Sequence, residues 1–420
     1  MQQHALLPNG ITVVTSEMPH MSSVSLGIWV GVGGRFEPAH LNGVSHFIEH
    51  LLFKGTRRRS AREISQAVEG IGGYLNAFTS EESTCFYSKA RHDCFDELLD
   101  VLTDMLLHST FSPVEINKER GVIKDELAMY LDQPQQHVQE LLNQTQWPDQ
   151  PLGRPLTGTE RTLDAMGRRE LVAFHSAHYV GSNVLVAAAG NLSHRRAVQA
   201  VARRARSFKI GRRPHFSPAT CSQELPRTRL FTKQTEQTQI ALGVRTCSRH
   251  DERRFALRLL NTILGENMSS RLFQSLREDH ALTYNIYSSL SFFDDVGDLV
   301  ISAGLETDDL PAALKLIFKE LKRLASVPPT RTELRRARDY AIGQIDLSLE
   351  NTESQMMWLG EQMLGYGKVI SPREIKSRLT EVTAGQIRKV ASDFFRPNRV
   401  NLALVSPLKT DRGLANSLKW

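Results

Sequence analysis

Thiols are scarce in this chain. Four cysteines (Cys85, Cys94, Cys221, Cys247) occur in 420 residues and none forms a CxxC pair, so neither a thiolate zinc site nor a disulfide framework is expected, and the four read as buried or reduced side chains. Long apolar runs are also missing. No stretch approaches the roughly 18 residues of a membrane span, so no membrane partner is expected. The opening MQQHALLPNGITVV has no basic segment, no unbroken apolar core and no Arg/Ser-rich amphipathic presequence, which makes a cytoplasmic location the expectation. With 40% hydrophobic and 23% charged residues the composition is that of a folded globular protein. A net charge of +6 comes partly from Arg57-Arg58-Arg59, Arg195-Arg196, Arg203-Arg204 and Arg212-Arg213. These clusters are scattered and lack interleaved aromatics, so they read as solvated faces and linker ends and no nucleic-acid partner is expected.

The length exceeds one ordinary core and favours more than one domain. Residues 11–16 and 22–32 read as strands, followed by a helix over about 43–53. Ser60 and Glu63 have the spacing of a capping box. YLNAFT and STCFYSKA read as strands, and Phe95, Leu98, Leu99, Leu102, Met105 and Leu106 recur at helical spacing. SPVEINKERGVIKDELAMYL opens with Ser-Pro and predicts a helix of about five turns. The second half repeats this order. TQIALGVRT reads as a strand, DERRFALRLLNTILG as a helix, LTYNIYSSLSF and DLVISAGLET as strands, and PPTRTELRRARDYAIGQIDL as a long helix opened by proline. Two similar units of about 200 residues imply duplication. The seam is expected near residues 211–227, where Pro, Ser and charge accumulate, giving domains at 1–215 and 228–420 with a linker at 216–227.

The halves differ in one respect. The first contains GVSHFIEHLLFKGT, with an H-x-x-E-H pattern that the second lacks, and Gln344 falls near the place of Glu126. On a helix, His46 and His50 share a face and can direct ring nitrogens at one point. Glu49, adjacent to His50, is a poor third ligand but well placed to take a proton from water activated by a metal. Two imidazoles and one carboxylate suit zinc, and the pattern is that of an inverzincin. Glu126, on the long helix downstream, is assigned as third ligand. Glu119, two turns before it on nearly the same face, is assigned to orient a histidine or tune its charge.

These residues, with GVSHFIEHLLFKGT and ERGVIKDELAMYLDQP around them, resemble the pitrilysin, insulysin and mitochondrial processing peptidase family of zinc peptidases, in its short two-domain form. GGYLNAFTSEESTCFY, PLGRPLTGT and SSRLFQSLREDHALTYNIYS carry the resemblance nearly end to end. It implies an α+β fold of two homologous domains, each a largely antiparallel sheet covered by helices. It implies one zinc per chain on His46, His50 and Glu126, a catalytic base at Glu49 and a supporting Glu119. A peptide substrate would pair with the edge strand Asn76-Ala77-Phe78-Thr79 by strand addition. Arg277 and Tyr284 would bond substrate carbonyls and steady the developing oxyanion. The expected activity is zinc-dependent endopeptidase action on peptides or unfolded segments within a closed chamber. The expected assembly is a homodimer in which Arg277 and Tyr284 reach the partner's zinc site. The competing reading is a non-catalytic scaffold or partner subunit, which the retained metal residues oppose. Where many relatives have a glycine-rich loop, this chain has Gly265-Glu266-Asn267-Met268.

Overall fold

The computed structural model describes residues 2–411 together with Leu414 and Leu418. Residue 1 of the expected first domain, and 412, 413, 415–417, 419 and 420 of the second, lie outside the described residues. No described helix is long and apolar enough to cross a membrane.

The chain forms two compact units. One comprises Met1–Leu127, Arg154–Ser217 and Leu347–Ile370; the other Ala128–Gly153, Pro218–Asp346 and Ser371–Trp420. The strands of the first are β1 (Gln2–Leu6), β2 (Thr12–Glu17), β3 (Ser23–Val30), β4 (Tyr74–Thr79), β5 (Thr84–Arg91) and β6 (Val184–Gly190), in the order β1-β2-β6-β3-β5-β4. Only the β2–β6 pairing among these is parallel. Alternation of side chains sends β3 into two cores at once. Val24, Leu26, Ile28 and Val30 join Val13, Val186 and Phe86 in the main core, and Trp29 joins Val14, Cys85, Leu185, Ala187 and Ala189 on the opposite face.

The main core is closed by α1 (Val44–Leu52), α2 (Ala61–Glu69) and α3 (Phe95–His108), through Phe47, Ile48, Leu51, Ile64, Leu98, Leu102 and Met105 among others. The capping box at Ser60 and Glu63 forms, with the Glu63 carboxylate accepting from Ser60 N at 2.7 Å. A fourth helix, α4 (Pro113–Asp132), runs on from the first unit into the second. The opposite face is covered by the helix Thr352–Tyr366, which sets Met356 and Leu359 against Trp29 and the alanines of β6. Gly360 permits that approach, because a Cβ there would lie 2.2 Å from the Trp29 indole.

The second unit repeats the plan. Its sheet, β7 (Arg227–Thr232), β8 (Thr238–Thr246), β9 (Thr283–Phe292), β10 (Gly297–Leu305) and β11 (Val400–Ser406), runs β7-β11-β8-β10-β9, with β7–β11 parallel and the other pairings antiparallel. Apart from β1, this is the order of the first sheet, as duplication requires. One face carries the large core of helices Arg254–Leu264, Leu310–Ser326 and Ala384–Phe394. The other is covered by α5 (Pro134–Gln146), whose Val138, Leu141 and Leu142 pack on Ala241, Val300, Ala403 and Val405.

The division into 1–215 and 228–420 therefore differs from the compact units at two helices. α5 comes from the first half of the chain and covers the second sheet, and Thr352–Tyr366 does the reverse. Composition marks the seam at 211–227 but carries no signal for which sheet an amphipathic helix will cover.

Arg58 and Arg204 lie exposed, as expected, and with the half-buried Arg59 they are also paired. Arg59 donates to Asp104 Oδ2 at 2.7 Å and also binds Asp100, Arg58 reaches Asp100 at 3.2 Å, and Arg204 binds Asp100 as well. Asp104 has a fully buried side chain, so the arginines compensate a charge that burial would otherwise make costly.

Candidate metal centre

α1 and α4 bring three side chains that could hold a metal ion to one place. The imidazole centroids of His46 and His50 lie 4.6 Å apart. Glu126 Oε2 is 3.7 Å from His46 Nε2 and 3.6 Å from His50 Nε2. Ligand atoms of these three residues all fall within 4.8 Å of one another, the one such grouping among the described residues. The separations exceed hydrogen-bond length. They approach the value of about 3.3 Å that bonds of about 2 Å at tetrahedral angles place between neighbouring ligands. Burial, and then the neighbouring His50, push the His46 imidazole down to about 4, so it is neutral near pH 7, as a ligand must be. Two imidazoles and a carboxylate are a donor set that zinc accepts, so the residues present fit the ion.

Glu119 lies behind the histidine. Its Oε2 is 3.1 Å from His50 Nδ1, which as the protonated nitrogen would leave Nε2 as the donor facing Glu126. Its Oε1 is 2.9 Å from Lys54 Nζ. The Glu119 side chain is 5% exposed, and the ammonium supplies the opposite charge that so enclosed a carboxylate needs. Sequence reasoning did not single out Lys54. Its signal was position: four residues after His50, in the turn that follows α1, it falls on the side of the histidines.

Glu49 is held from the sheet. Thr79 Oγ1 donates to Glu49 Oε2 at 2.5 Å. Burial pushes the Glu49 carboxyl up, while the Thr79 bond and His50 pull it down. Thr79 was expected only as part of the edge strand; its hydroxyl contact with the expected base depends on where β4 meets α1, which a local pattern cannot show.

Asn76, Ala77, Phe78 and Thr79 lie on β4, at the end of the sheet order, with β5 on one side and no further strand on the other among the described residues. Asn76 Oδ1 accepts from Ala77 N at 2.8 Å, and Phe78 stacks edge-on against Trp29 with centroids 5.5 Å apart.

Arg277 and Tyr284 belong to the other unit. Arg277 sits in the π-helical stretch Phe273–Asp279, a geometry frequent at functional positions. It donates from Nη1 to Tyr284 O at 2.9 Å, and its guanidinium lies 4.5 Å over the Tyr284 ring. Tyr284 is 78% exposed. The loop that departs from the family pattern is pinned, with Glu266 bonded to Arg258 at 2.6 Å and to Thr262 at 2.7 Å.

Comparison with known proteins defines the class. Residues 12–160 match Insulinase (Peptidase family M16), and residues 165–340 match the Peptidase M16 inactive domain. The chain belongs to peptidase family M16. It is 38% identical over 96% of its length to a protein of Streptomyces coelicolor, of which it covers 89%, and 37% identical over 95% to one of Bacillus subtilis, of which it covers 97%; both are named uncharacterized zinc proteases. A protease from Helicobacter pylori shares the fold at a TM-score of 0.91 and 21% identity, over 97% of this chain and 99% of that one. A Pseudomonas fluorescens structure titled as a peptidase M16 inactive domain does so at 0.90 and 18%, over 97% and 98%.

Proposed function

We propose that the chain is a zinc-dependent endopeptidase acting on peptides or unfolded segments. The observation that carries this reading is the convergence of His46, His50 and Glu126 beside a Glu49 held by Thr79. A zinc ion held by those three residues would supply Lewis acidity, polarising a carbonyl and acidifying water. Glu49 accepts a proton from the attacking water and returns it to the leaving amide nitrogen. Glu119 and Lys54 keep His50 oriented. Main-chain groups of Asn76–Thr79 pair with an extended substrate and make little demand on its sequence. Arg277 and Tyr284 donate to substrate carbonyls. We extend the reading to a homodimer in which this pair serves the partner's site, to a closed chamber that admits unfolded chains, to one zinc per chain and to a cytoplasmic location.

Metal analysis together with digestion of a peptide library, wild type against Glu49→Gln, tests the core of this reading. The expected result is about one zinc per chain in both proteins and turnover in the wild type alone. Loss of zinc from Glu49→Gln would make Glu49 a ligand; wild-type turnover that survives complete metal removal would end the zinc assignment. Mixing Glu49→Gln with Arg277→Ala subunits restores some activity if sites are shared across a dimer. No recovery from demonstrably mixed dimers refutes the sharing.

A further inference from the structure

α1 is nine residues long and starts without a side-chain cap of its own. Its N-cap is Gly43, at φ 93°, and the first helical turn contains His46. Short helices are marginal by themselves, and unpaired N–H groups at a buried helix start are costly. Two of these donors, Gly43 N and Ser45 N, are instead met by a residue outside the helix. Glu37 Oε2 accepts from Gly43 N at 2.7 Å and from Asn42 Nδ2 at 3.1 Å, and Glu37 Oε1 accepts from Ser45 N at 2.8 Å. Glu37 is 3% exposed. Burial pushes the Glu37 carboxyl up, and the bonds from Ser45, Gly43 and Asn42 pull against that rise; whichever form it takes, its two oxygens accept the donors at the helix start.

The segment Arg154–Gly158, part of PLGRPLTGT, closes over this arrangement. Arg154 Nη1 donates to Glu37 O at 3.0 Å, and Asn42 Nδ2 donates to Pro155 O at 3.0 Å. Gly43 meets the same segment directly: a Cβ there would lie 2.7 Å from Thr157 O and 2.8 Å from Gly158 Cα. The start of the metal helix is thus clamped from two sides, by a carboxylate beneath it and a strap across it.

We propose that Glu37 is a positioning residue of the metal centre: its carboxylate, sealed by Arg154–Gly158, caps α1 and holds the first turn so that His46 keeps its place relative to His50 and Glu126. The inference rests on the zinc reading above and adds to it a residue that touches neither metal nor substrate. Without the cap the backbone of the first turn loosens around His46, although Val44 and Phe47 stay packed in the core, while the rest of α1, held through Ile48, Leu51 and Leu52, stays in place. His46 then leaves the cluster before the unit unfolds.

The test compares wild type, Glu37→Ala, Glu37→Gln and Ser60→Ala in the full chain. The Ser60 variant removes the cap of α2, which carries no site residue. Zinc affinity is measured by competition with a chromophoric chelator, stability of the metal-free protein by urea unfolding, and opening of residues 43–47 by amide hydrogen exchange. Glu37→Ala is expected to bind zinc roughly 10- to 100-fold more weakly, the usual effect of losing a group that orients a ligand, with faster exchange in the first turn. Glu37→Gln, which keeps the shape and one accepting oxygen, should fall between it and wild type. Ser60→Ala should lose stability with zinc affinity unchanged. Wild-type zinc affinity in a folded Glu37→Ala, or in Glu37→Gln should the alanine variant not fold, overturns the proposal. So does an equal loss in Ser60→Ala, which would make the effect one of general stability. A wild-type protein that binds no zinc brings down the metal reading itself, a failure distinct from one confined to the Glu37 variants.

Discussion

The contact between Thr79 and Glu49 gives a prediction whose size follows from the geometry. Burial raises the Glu49 carboxyl, and the 2.5 Å bond from Thr79 opposes that rise. Replacing Thr79 by Val keeps the volume and the β-branching, so β4 retains its register with β5, in which Thr79 faces Thr84. Only the hydroxyl is lost. A hydrogen bond to an ionised acceptor contributes about 1.5–3 kcal/mol, and one pKa unit corresponds to about 1.4 kcal/mol. Because the pair is only partly buried the lower end applies, and losing the bond should push the Glu49 carboxyl further up. A carboxylate can serve as a general base only when ionised. Pushing Glu49 further up therefore moves the acid limb of kcat/KM to higher pH, while zinc content and the alkaline side stay as they were. The assay is cleavage of a fluorogenic peptide at fixed zinc, from about pH 5 to pH 9, for both proteins. An acid limb that stays in place, or moves to lower pH, would show that Thr79 does not stabilise the working form of Glu49.

Three further expectations follow from other parts of the structure. Lys54→Met leaves the Glu119 carboxylate without its cation and should weaken zinc binding by roughly 10- to 100-fold, read by chelator competition; unchanged affinity would remove Lys54 from the site. Burial holds the His175 imidazole down to about 4, against a bond to Leu106 O that favours the proton. The unfolded chain therefore binds the proton first, and the stability present above about pH 6.5 is lost as pH falls toward 4, by on the order of 3 kcal/mol. Urea unfolding of His175→Gln should show a pH dependence shallower by that amount, and a slope equal to that of wild type would contradict it. Gly360→Ala would place a methyl group within the Trp29 indole and should cost about 1–3 kcal/mol or more, with altered tryptophan emission; an unchanged unfolding midpoint would show that the Thr352–Tyr366 helix yields easily.

The sequence carried the elements near the site well, for identifiable reasons. YLNAFT is bounded by glycines and by a polar turn and coincides with β4, Tyr74–Thr79. Apolar residues at helical spacing around His46 and His50 mark α1, Val44–Leu52. β6 and β11 were not read, since VLVAAAG and VNLALVS are buried on both faces and show no alternation. The alanines of β6 make sense only against Met356 and Leu359, far along the chain. The pairing of His46, His50 and Glu126 could be reached from spacing joined to a family pattern. Lys54 and the hydroxyl of Thr79 required knowing which backbone segments meet.

The exchange of α5 and Thr352–Tyr366 bears on how the polypeptide can be cut. A fragment ending at the Pro- and Ser-rich seam would carry His46, His50 and Glu126 and yet leave Trp29 and one side of its sheet bare to water, with α5 an unpartnered loop-out between Leu127 and Arg154. The complementary fragment would have the mirror defect. Two such pieces made together in one cell could each supply the other's missing wall, so complementation between them is a more natural outcome than independent folding of either.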